Sequence, residues 1–552
     1  MLRAHHRTAI ALAVLASLIA AVRIGSTWRV FNETTDEAYH IACGMQWLST
    51  GRYTYETQHP PLARIVAALG PYLSGAKFSN LPTGYEEGRK LLDEAPDYYG
   101  LLTRARAGNL LFYFLGCLSV WLLARRCGGT IVAAVSVGVF TLIPVVLGHA
   151  GLATTDMALS ASLVLAFWGW QQWLDRPSDL KRAGLAGMAT GLAMVSKFSS
   201  VLFLPAVLVP MLVWRWRRKD LNLSGRRLGV LKAMACAAVA FFFVCWPLYR
   251  FDLTPARVPP DRKFFLLDLL IERVGRHIGG VQWMHNVAYW FLELHLPLAG
   301  MIRGIGEVYQ HNWDGHSAYL FGHLSQQGWW YFFPIVLAIK TPIALAILAI
   351  IGAVVAFRER NRPAVECLMA AAAIVLVSMA SNVNIGVRHV LPVYLLISVP
   401  AGLAVVRLWK RRKMIATALC LWLAAGSVMA HPDYLADFNL LAMGKSERIV
   451  ADSDLDWGQD LHRATLMLRE RGVREAWIAY DGTAPPERET GIVYRELPDN
   501  TRVRGWVVAS MRRLYYVGAR VQASGKPDPY AWVKTLTPTM RAGRSIVIFD
   551  LR

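Results

Sequence analysis

Residues 183–214 read AGLAGMATGLAMVSKFSSVLFLPAVLVPMLVW, and the way they cross a bilayer decides the fold. As one helix at about 1.5 Å per residue they would reach roughly 48 Å, too long for a single crossing and short for two full ones. The flanks settle the matter. Arg176, Lys181 and Arg182 precede the stretch, and Arg215, Arg217, Arg218, Lys219, Arg226 and Arg227 follow it. Short basic loops belong on the cytoplasmic side. The stretch therefore goes out and comes back as two short helices that meet near Lys197, which places a cation just below the outer surface.

The remaining chain fits the same reading. Apolar stretches of roughly 20 residues, the length a span needs, run at 8–24, 105–124, 130–148, 157–174, 228–248, 329–357, 364–381, 390–406 and 414–430. With the central pair, eleven crossings are expected, N-terminus inside and C-terminus outside. Arg3/Arg7, Arg125/Arg126, Arg358/Arg360/Arg362 and the run from Arg407 to Lys413 then all fall inside, as positive-inside topology requires. The first stretch has the look of a signal peptide but reads as an uncleaved span, because the chain runs straight into a membrane-hugging segment. Composition agrees: of 552 residues 55% are hydrophobic and 18% charged, with mean hydropathy +0.33. That balance excludes disorder, a collagen-like fibre and a small disulfide scaffold, and argues against a soluble enzyme. The net charge of +21 sits in short turns between spans, so it is topological and nucleic acid is not the expected partner. Of the seven cysteines only Cys43 is clearly outside, which leaves no outer pair to oxidise.

Three outer segments are long: 25–104, 249–328 and 431–552. In the first, 37–48 and 61–73 have helical apolar spacing and read as amphipathic helices along the interface. The second is rich in Trp, His and Gly and ends in the aromatic belt Trp329-Trp330-Tyr331-Phe332-Phe333. The third reads as a small α/β domain, with a helix near 459–472 and strands at 476–480, 505–509 and 545–551. The expected fold is thus an α-helical polytopic membrane domain over 1–430 and an outer α/β domain over 431–552.

The ionisable residues share a side. Asp36 and Glu37 follow the first span, Asp156 lies at the mouth of the fourth and Lys197 caps the helix pair. Arg250 follows the seventh span, Arg388-His389 sit in the outer turn 381–389, and Lys340 lies two to three turns into the eighth span beside Pro342. Each has a structural reading of its own: snorkelling for the cations, helix capping for Asp156 and dipole stabilisation for Asp36-Glu37. Their convergence on one face near the membrane surface is the stronger signal. Cations in apolar surroundings suit a phosphate, and a nearby carboxylate can take a proton from a hydroxyl nucleophile. Together these parts suit group transfer from a lipid phosphate to an alcohol.

The order Asp36-Glu37, His59-Pro60-Pro61-Leu62, Thr154-Thr155-Asp156, Lys197 and Asn384-Ile385-Gly386-Val387-Arg388-His389-Val390-Leu391-Pro392 resembles bacterial members of glycosyltransferase family 39, relatives of protein O-mannosyltransferases and of the lipid A aminoarabinose transferase. Lys340-Thr341-Pro342 and the run Asp452-Ser453-Asp454-Leu455-Asp456-Trp457-Gly458-Gln459-Asp460 match the style of that branch. The resemblance implies a GT-C fold in a bacterial plasma membrane, the site on its outer side. It implies a polyprenyl-phosphate sugar donor, inversion, and a protein, glycolipid or cell-envelope glycan as acceptor. Asp36 matches the family's proposed catalytic base, and Glu37 and Asp156 match acidic positions beside it. Lys197, Arg250, Lys340, Arg388 and His389 become candidates for the lipid phosphate, His59 and His316 for the substrate. The sequence departs from the mannosyltransferases in having Ala63-Arg64 after Pro60-Pro61-Leu62 where they continue Gly-Lys, so the substrate does not carry over.

Asp452, Asp454 and Asp456 have the 1-3-5 spacing of a calcium loop, but Trp457 and Arg463 stand where Gly and Glu are needed. No cofactor is expected with certainty, and the resemblance leaves divalent-metal dependence open. A lipid-linked sugar flippase is the alternative; it would need charges along a path through both halves of the bilayer and symmetry between them, and neither is visible. The sequence has no Trp-Trp-Asp-Tyr-Gly motif of an oligosaccharyltransferase.

Overall fold

The computed structural model describes residues 2–220, 227–256, 265–278 and 280–552; Arg226 of the basic flank lies outside the described residues. The protein is a multi-pass helical membrane protein with a small sheet domain at its C-terminus. It opens with helices α1 (Leu2–Gly25), α2 (Glu37–Thr50), α3 (Pro61–Leu73), α4 (Gly84–Asp93), α5 (Tyr98–Gly108) and α6 (Leu110–Phe140). The expected interfacial helices are α2 and α3. Within α6, Gly128 and Gly129 leave helical geometry, which separates the second and third crossings just after Arg125-Arg126. Next come α7 (Pro144–Ala150), α8 (Asp156–Asp175), α9 (Leu180–Ser196), α10 (Ser199–Arg217) and α11 (Arg227–Leu248). The out-and-back pair is α9 and α10, and Lys197 joins them in an extended conformation (φ −163°, ψ 137°).

The second outer segment contains β1 (Leu253–Pro255), α12 (Phe265–Ile278), α13 (Val281–Glu293), β2 (His295–Pro297), α14 (Ala299–Asp314), β3 (Ala318–Leu320) and β4 (His323–Ser325). β1 pairs with β2 and β3 with β4, both antiparallel.

One expected span needs correction. Residues 329–357 form α15 (Phe332–Lys340) and α16 (Ile343–Arg358), bent by 110°. Pro342 lacks an N–H and disfavours helical geometry in the residue before it; Thr341 is accordingly extended (φ −77°, ψ 125°). Lys340 is therefore at a bend, not inside a straight crossing. Then follow α17 (Arg362–Ser378), α18 (Pro392–Arg411) and α19 (Lys413–Met429). Among the described residues five helices are long and apolar enough to span, six if the bent pair is one; α17 and α19, at 17 residues each, are shorter.

Small residues let the helices close up. A Cβ on Gly187 of α9 would collide with the Ala237 carbonyl of α11, and one on Gly402 of α18 with Ser136 of α6. At the end expected inside, Arg215 donates to both oxygens of Glu366 (2.6 and 2.9 Å). Asp175 there gathers Arg126 (2.6 Å), Arg215 (3.0 Å) and Arg362 (2.7 Å).

The C-terminal region adds α20 (Ser446–Ile449), α21 (Leu461–Arg469), β5 (Glu475–Ala479), β6 (Val493–Glu496), β7 (Trp506–Ser510), β8 (Met540–Ala542) and β9 (Ile546–Asp550). They form one sheet in the order β6-β5-β7-β9-β8, with β5 parallel to β6 and β7 and β9 antiparallel to β7 and β8. The three expected strands are β5, β7 and β9. The edge strands are short, β6 is largely exposed and β8 has a single fully buried residue, Ala542, so they lack the apolar runs that mark the others.

A buried ion pair fixes the first outer loop to the bundle. Glu37 takes Nε and Nη2 of Arg106 at 2.8 and 2.7 Å and also accepts from Thr34 N and Ala153 N, both at 2.9 Å. Removing one member leaves the other charge unpaired out of water, which costs about 3–5 kcal/mol. Arg106→Met should therefore sharply lower the yield and thermal midpoint of purified protein. The double variant Glu37→Gln/Arg106→Met should recover most of that loss; no recovery would mean that the pair is not the tie.

Candidate active site

Asp36 is the N-cap of α2 but makes no capping bond with its side chain, so the carboxylate is free to turn outward from the helix. It accepts from Arg388 Nη1 at 2.7 Å and stays 36% exposed. Burial works to raise its pKa, and Arg388, with smaller help from His40 and His59, outweighs that and holds it below the usual carboxylate range. Asp156, the first residue of α8, takes the Lys197 ammonium at 2.6 Å. Arg388 feels both Asp36 and Asp156. Two carboxylates and two cations thus form one cluster where α2, α8, the α9–α10 apex and the 387–390 turn meet.

The C-terminal Asp run holds that cluster from behind. The Asp454 carboxylate accepts from Val387 N at 3.0 and 3.1 Å, and Ser453 Oγ donates to the Ile385 carbonyl at 2.5 Å. Gly386, at φ +115°, passes so close that a Cβ would lie 3.0 Å from Asp454. The Arg388 guanidinium lies 4.2 Å from the Trp457 ring centroid, and its buried Nε has no partner among the described residues. The run holds itself as a turn: Asp456 accepts from Gly458 N (3.0 Å) and Arg512 N (2.8 Å), and burial pushes its pKa up to about 7. Asp452 pairs with Arg512 at 3.2 Å. Among the described residues no group of three or more His, Cys, Asp or Glu is placed to hold a metal.

The other sequence candidates fall in different places. Glu37 is locked to Arg106 beside the cluster, where burial raising its pKa is outweighed by Arg106. His389 stacks on Phe333 (6.3 Å, 17°), and burial, then Lys197 and Arg388, keep it neutral by lowering its pKa well below the ordinary value. His316 lies beside His311 (5.4 Å) and within the field of Asp452 and Arg388. Lys340 donates to the Leu435 and Asp454 carbonyls at 2.6 and 2.8 Å, so it ties the C-terminal segment to the bend. Arg250 lies 3.8 Å from the Trp47 ring centroid, at the far end of α2 and about 16 Å along the helix from Asp36. It is outside the cluster.

His59 makes a 3.2 Å contact from Nδ1 to Glu56 and meets the His40 ring edge-on at 5.3 Å. His40 was not singled out from sequence, although it lies one turn after Asp36, and its backbone N–H donates to the Asp36 carbonyl at 3.0 Å. Arg64 Nε donates to His40 Nδ1 at 2.9 Å, and Arg64 is itself held by Tyr53 and Glu56. A guanidinium N–H can only donate, so His40 carries its proton on Nε2.

With this geometry in view, similarities to known proteins can be placed. Residues 102–246 match the family model described as dolichyl-phosphate-mannose-protein mannosyltransferase, a stretch that holds Asp156 and Lys197. No curated protein sequence matches the chain significantly. Among solved structures, ArnT from Cupriavidus metallidurans in the apo state is similar over 98% of both chains, at 15% identity and TM-score 0.50. The same protein bound to undecaprenyl phosphate is similar over 97% of both chains at 15% identity, with TM-score 0.47. The oligosaccharyltransferase AglB from Archaeoglobus fulgidus, in complex with an inhibitory peptide and a dolichol-phosphate, is similar over 94% of this chain and 71% of its own at 15% identity, TM-score 0.49. The family match over residues 102–246 and the fold shared with ArnT agree with the resemblance read from the sequence.

Burial, then Arg64 and His59, hold the His40 pKa well below its ordinary value. At pH 5.5 an ordinary histidine is about nine-tenths protonated, whereas His40 should stay neutral with its proton on Nε2. Nitrogen-15 NMR of histidine-labelled protein, assigned by His40→Gln, checks this; a charged ring at pH 5.5 would contradict the Arg64 geometry.

Proposed function

We propose that the chain is an inverting glycosyltransferase that moves a sugar from a polyprenyl-phosphate donor to a hydroxyl acceptor at the outer side of a bacterial plasma membrane. The family match and the GT-C fold support the coarser reading, a lipid-linked-sugar glycosyltransferase. The observation that carries the finer one is the Asp36–Arg388 pair at 2.7 Å with Lys197 and Asp156 beside it. A base and the cations that a leaving phosphate needs are adjacent, and only one of them is shared.

In this reading the acceptor O–H gives its proton to the Asp36 carboxylate as its oxygen attacks the anomeric carbon. The bond from that carbon to the phosphate oxygen breaks, and its electron pair leaves with the polyprenyl phosphate. A single displacement inverts the anomeric centre. The unpaired Nε–H of Arg388 and the Lys197 ammonium stabilise the departing charge. Arg388 also sets the order of events. While it holds Asp36 the carboxylate is a weak base; a donor phosphate that draws the guanidinium away restores its basicity, so the base is activated only when a donor is present. The flippase alternative gains no support from the opposite end of the bundle, where Arg126, Arg215 and Arg362 close on Asp175 and Glu366.

The test is transfer from a panel of polyprenyl-phosphate sugars in purified membranes. Wild type should consume one donor, and Asp36→Asn, which keeps the size and removes the base, should lower transfer by at least about 10²-fold. Equal consumption by both proteins would remove Asp36 from the mechanism. Transport of lipid-linked sugar without consumption would favour the flippase.

The pH profile gives a second check. Without Arg388 the burial that raises the Asp36 pKa loses its main opponent, so Arg388→Gln should move the acid limb of residual kcat/KM for the acceptor upward by about 1–3 pH units. An unmoved or lowered limb would break the link between the two residues.

A further inference from the structure

The first outer loop carries a second cluster to which the transfer step described above assigns no role. Tyr85, near the start of α4, is 64% exposed, yet its ring is stacked on Tyr39 with centroids 4.2 Å apart and planes at 23°. Tyr39 is fixed in turn. Its hydroxyl donates to the Tyr55 carbonyl at 3.3 Å, the Arg64 guanidinium lies 5.5 Å from its ring centroid, and Gly84 leaves room for it where a Cβ would come within 2.6 Å. Tyr85 therefore presents one covered face and one open face, held flat by a backing ring.

An interfacial tyrosine would face lipid with the exposed Leu69, Tyr72 and Leu73 of α3. Tyr85 instead stacks on Tyr39, which lies three residues after Asp36 and so on the same side of α2; the Arg64 beside the Tyr39 ring is paired with Glu56. The side chain of His59, 30% exposed, contacts Glu56 and meets the ring of His40, one turn after Asp36, edge-on at 5.3 Å. The open aromatic face, a carboxylate, an imidazole and the candidate base thus share one side of the loop.

We propose that this is the acceptor subsite and that the acceptor is a carbohydrate. The inference rests on the transferase reading above. A pyranose has an apolar C–H face and a rim of hydroxyls that both donate and accept. The open face of Tyr85 takes the first; Glu56 accepts from the second and His59 exchanges hydrogen bonds with it, which delivers one hydroxyl to Asp36. An extended peptide would want backbone partners, and the described residues of this loop form helices and turns with no strand edge to pair with. Among the acceptor classes left open by the sequence, a glycan or a glycolipid headgroup fits this surface and a protein side chain does not.

Two measurements on the full-length protein test it. The first is saturation-transfer NMR in detergent with methyl hexosides, a chitobiose and a maltotriose as saccharide probes and a Ser/Thr-containing nonapeptide as the rival. At least one saccharide should receive saturation on its ring C–H protons; Tyr85→Ala should abolish the signal and Tyr85→Trp should keep it. Saturation of the peptide alone, of no saccharide, or undiminished transfer in Tyr85→Ala overturns the proposal. The second is label transfer from the donor identified above. The label should enter a glycan or a glycolipid sugar, with the acceptor KM raised at least tenfold in Tyr85→Ala and the donor KM changed less than twofold; label on protein overturns the proposal. The two ideas can fail separately. Saccharide binding without donor consumption sinks the transferase reading and leaves the subsite, whereas donor consumption lost in Asp36→Asn with label on peptide does the reverse.

Discussion

A buried guanidinium cannot be left without partners, because a charge held out of water costs several kcal/mol unless it is paired and hydrogen-bonded. Arg388 meets this constraint with Asp36 on one side, the Trp457 ring on its face and Asp156 in reach through the field that also holds Lys197. Those partners come from four separate parts of the chain. To satisfy one side chain, the first outer loop, the mouth of α8, the α9–α10 apex and the C-terminal domain must all arrive at the same place. The same condition ties Glu37 to Arg106 and Lys340 to two carbonyls. The architecture around this cluster is a set of answers to the problem of pairing buried charges.

The segment from Asp452 to Asp460 is therefore part of the site and not a tether to an independent domain. Besides Val387, it reaches the first outer loop: the Trp457 carbonyl accepts from Thr35 N at 3.1 Å and the Gly458 carbonyl from Asn32 Nδ2 at 2.6 Å. Asp36 and Arg388 are thus positioned by one short stretch that touches the backbone on both sides of their ion pair. Removing the C-terminal domain would do more than alter a binding surface; it would release the turn that aims Arg388 and the loop that aims Asp36. A division at residue 430 separates folds more cleanly than it separates functions.

What the sequence made legible follows from this. The position of Lys197 came from length arithmetic and from the charge of two loops, quantities that need no tertiary contact. The shared sidedness of Asp36, Asp156, Lys197 and Arg388 followed from topology alone. Lys340 and Arg250 share that sidedness too, and were indistinguishable from the others until distances were known: one is engaged by carbonyls more than 90 residues away in sequence, the other by an indole at the wrong end of α2. Glu37 sits next to Asp36 in sequence, but one step around a helix turns it inward to Arg106. The 110° bend at Thr341-Pro342 was signalled by its proline, and the length of the apolar run concealed it. The triple Asp run has the spacing of a calcium loop without its Gly and Glu, but spacing says nothing about which backbone N–H groups a carboxylate will meet.

Arg64 shows how one departure from a family pattern can be read physically. A lysine there would present a single ammonium on a flexible stem; arginine presents a rigid fork whose N–H groups all donate and whose charge persists at every accessible pH. In this chain the fork is buried, engaged by His40, Tyr53 and Glu56, and lies under the Tyr39 ring that backs Tyr85. One side chain thus sets the tautomer of the imidazole beside Asp36, orients the carboxylate that His59 contacts and supports the stacked tyrosines. A lysine could meet one of those demands by charge but could not hold three partners in one plane. The exchange therefore bears on the shape of the loop beside Asp36, while Lys197 and Arg388, the cations proposed for the donor phosphate, stand on other elements. On the proposed reading, such a substitution reshapes the acceptor side and leaves the donor side as it is.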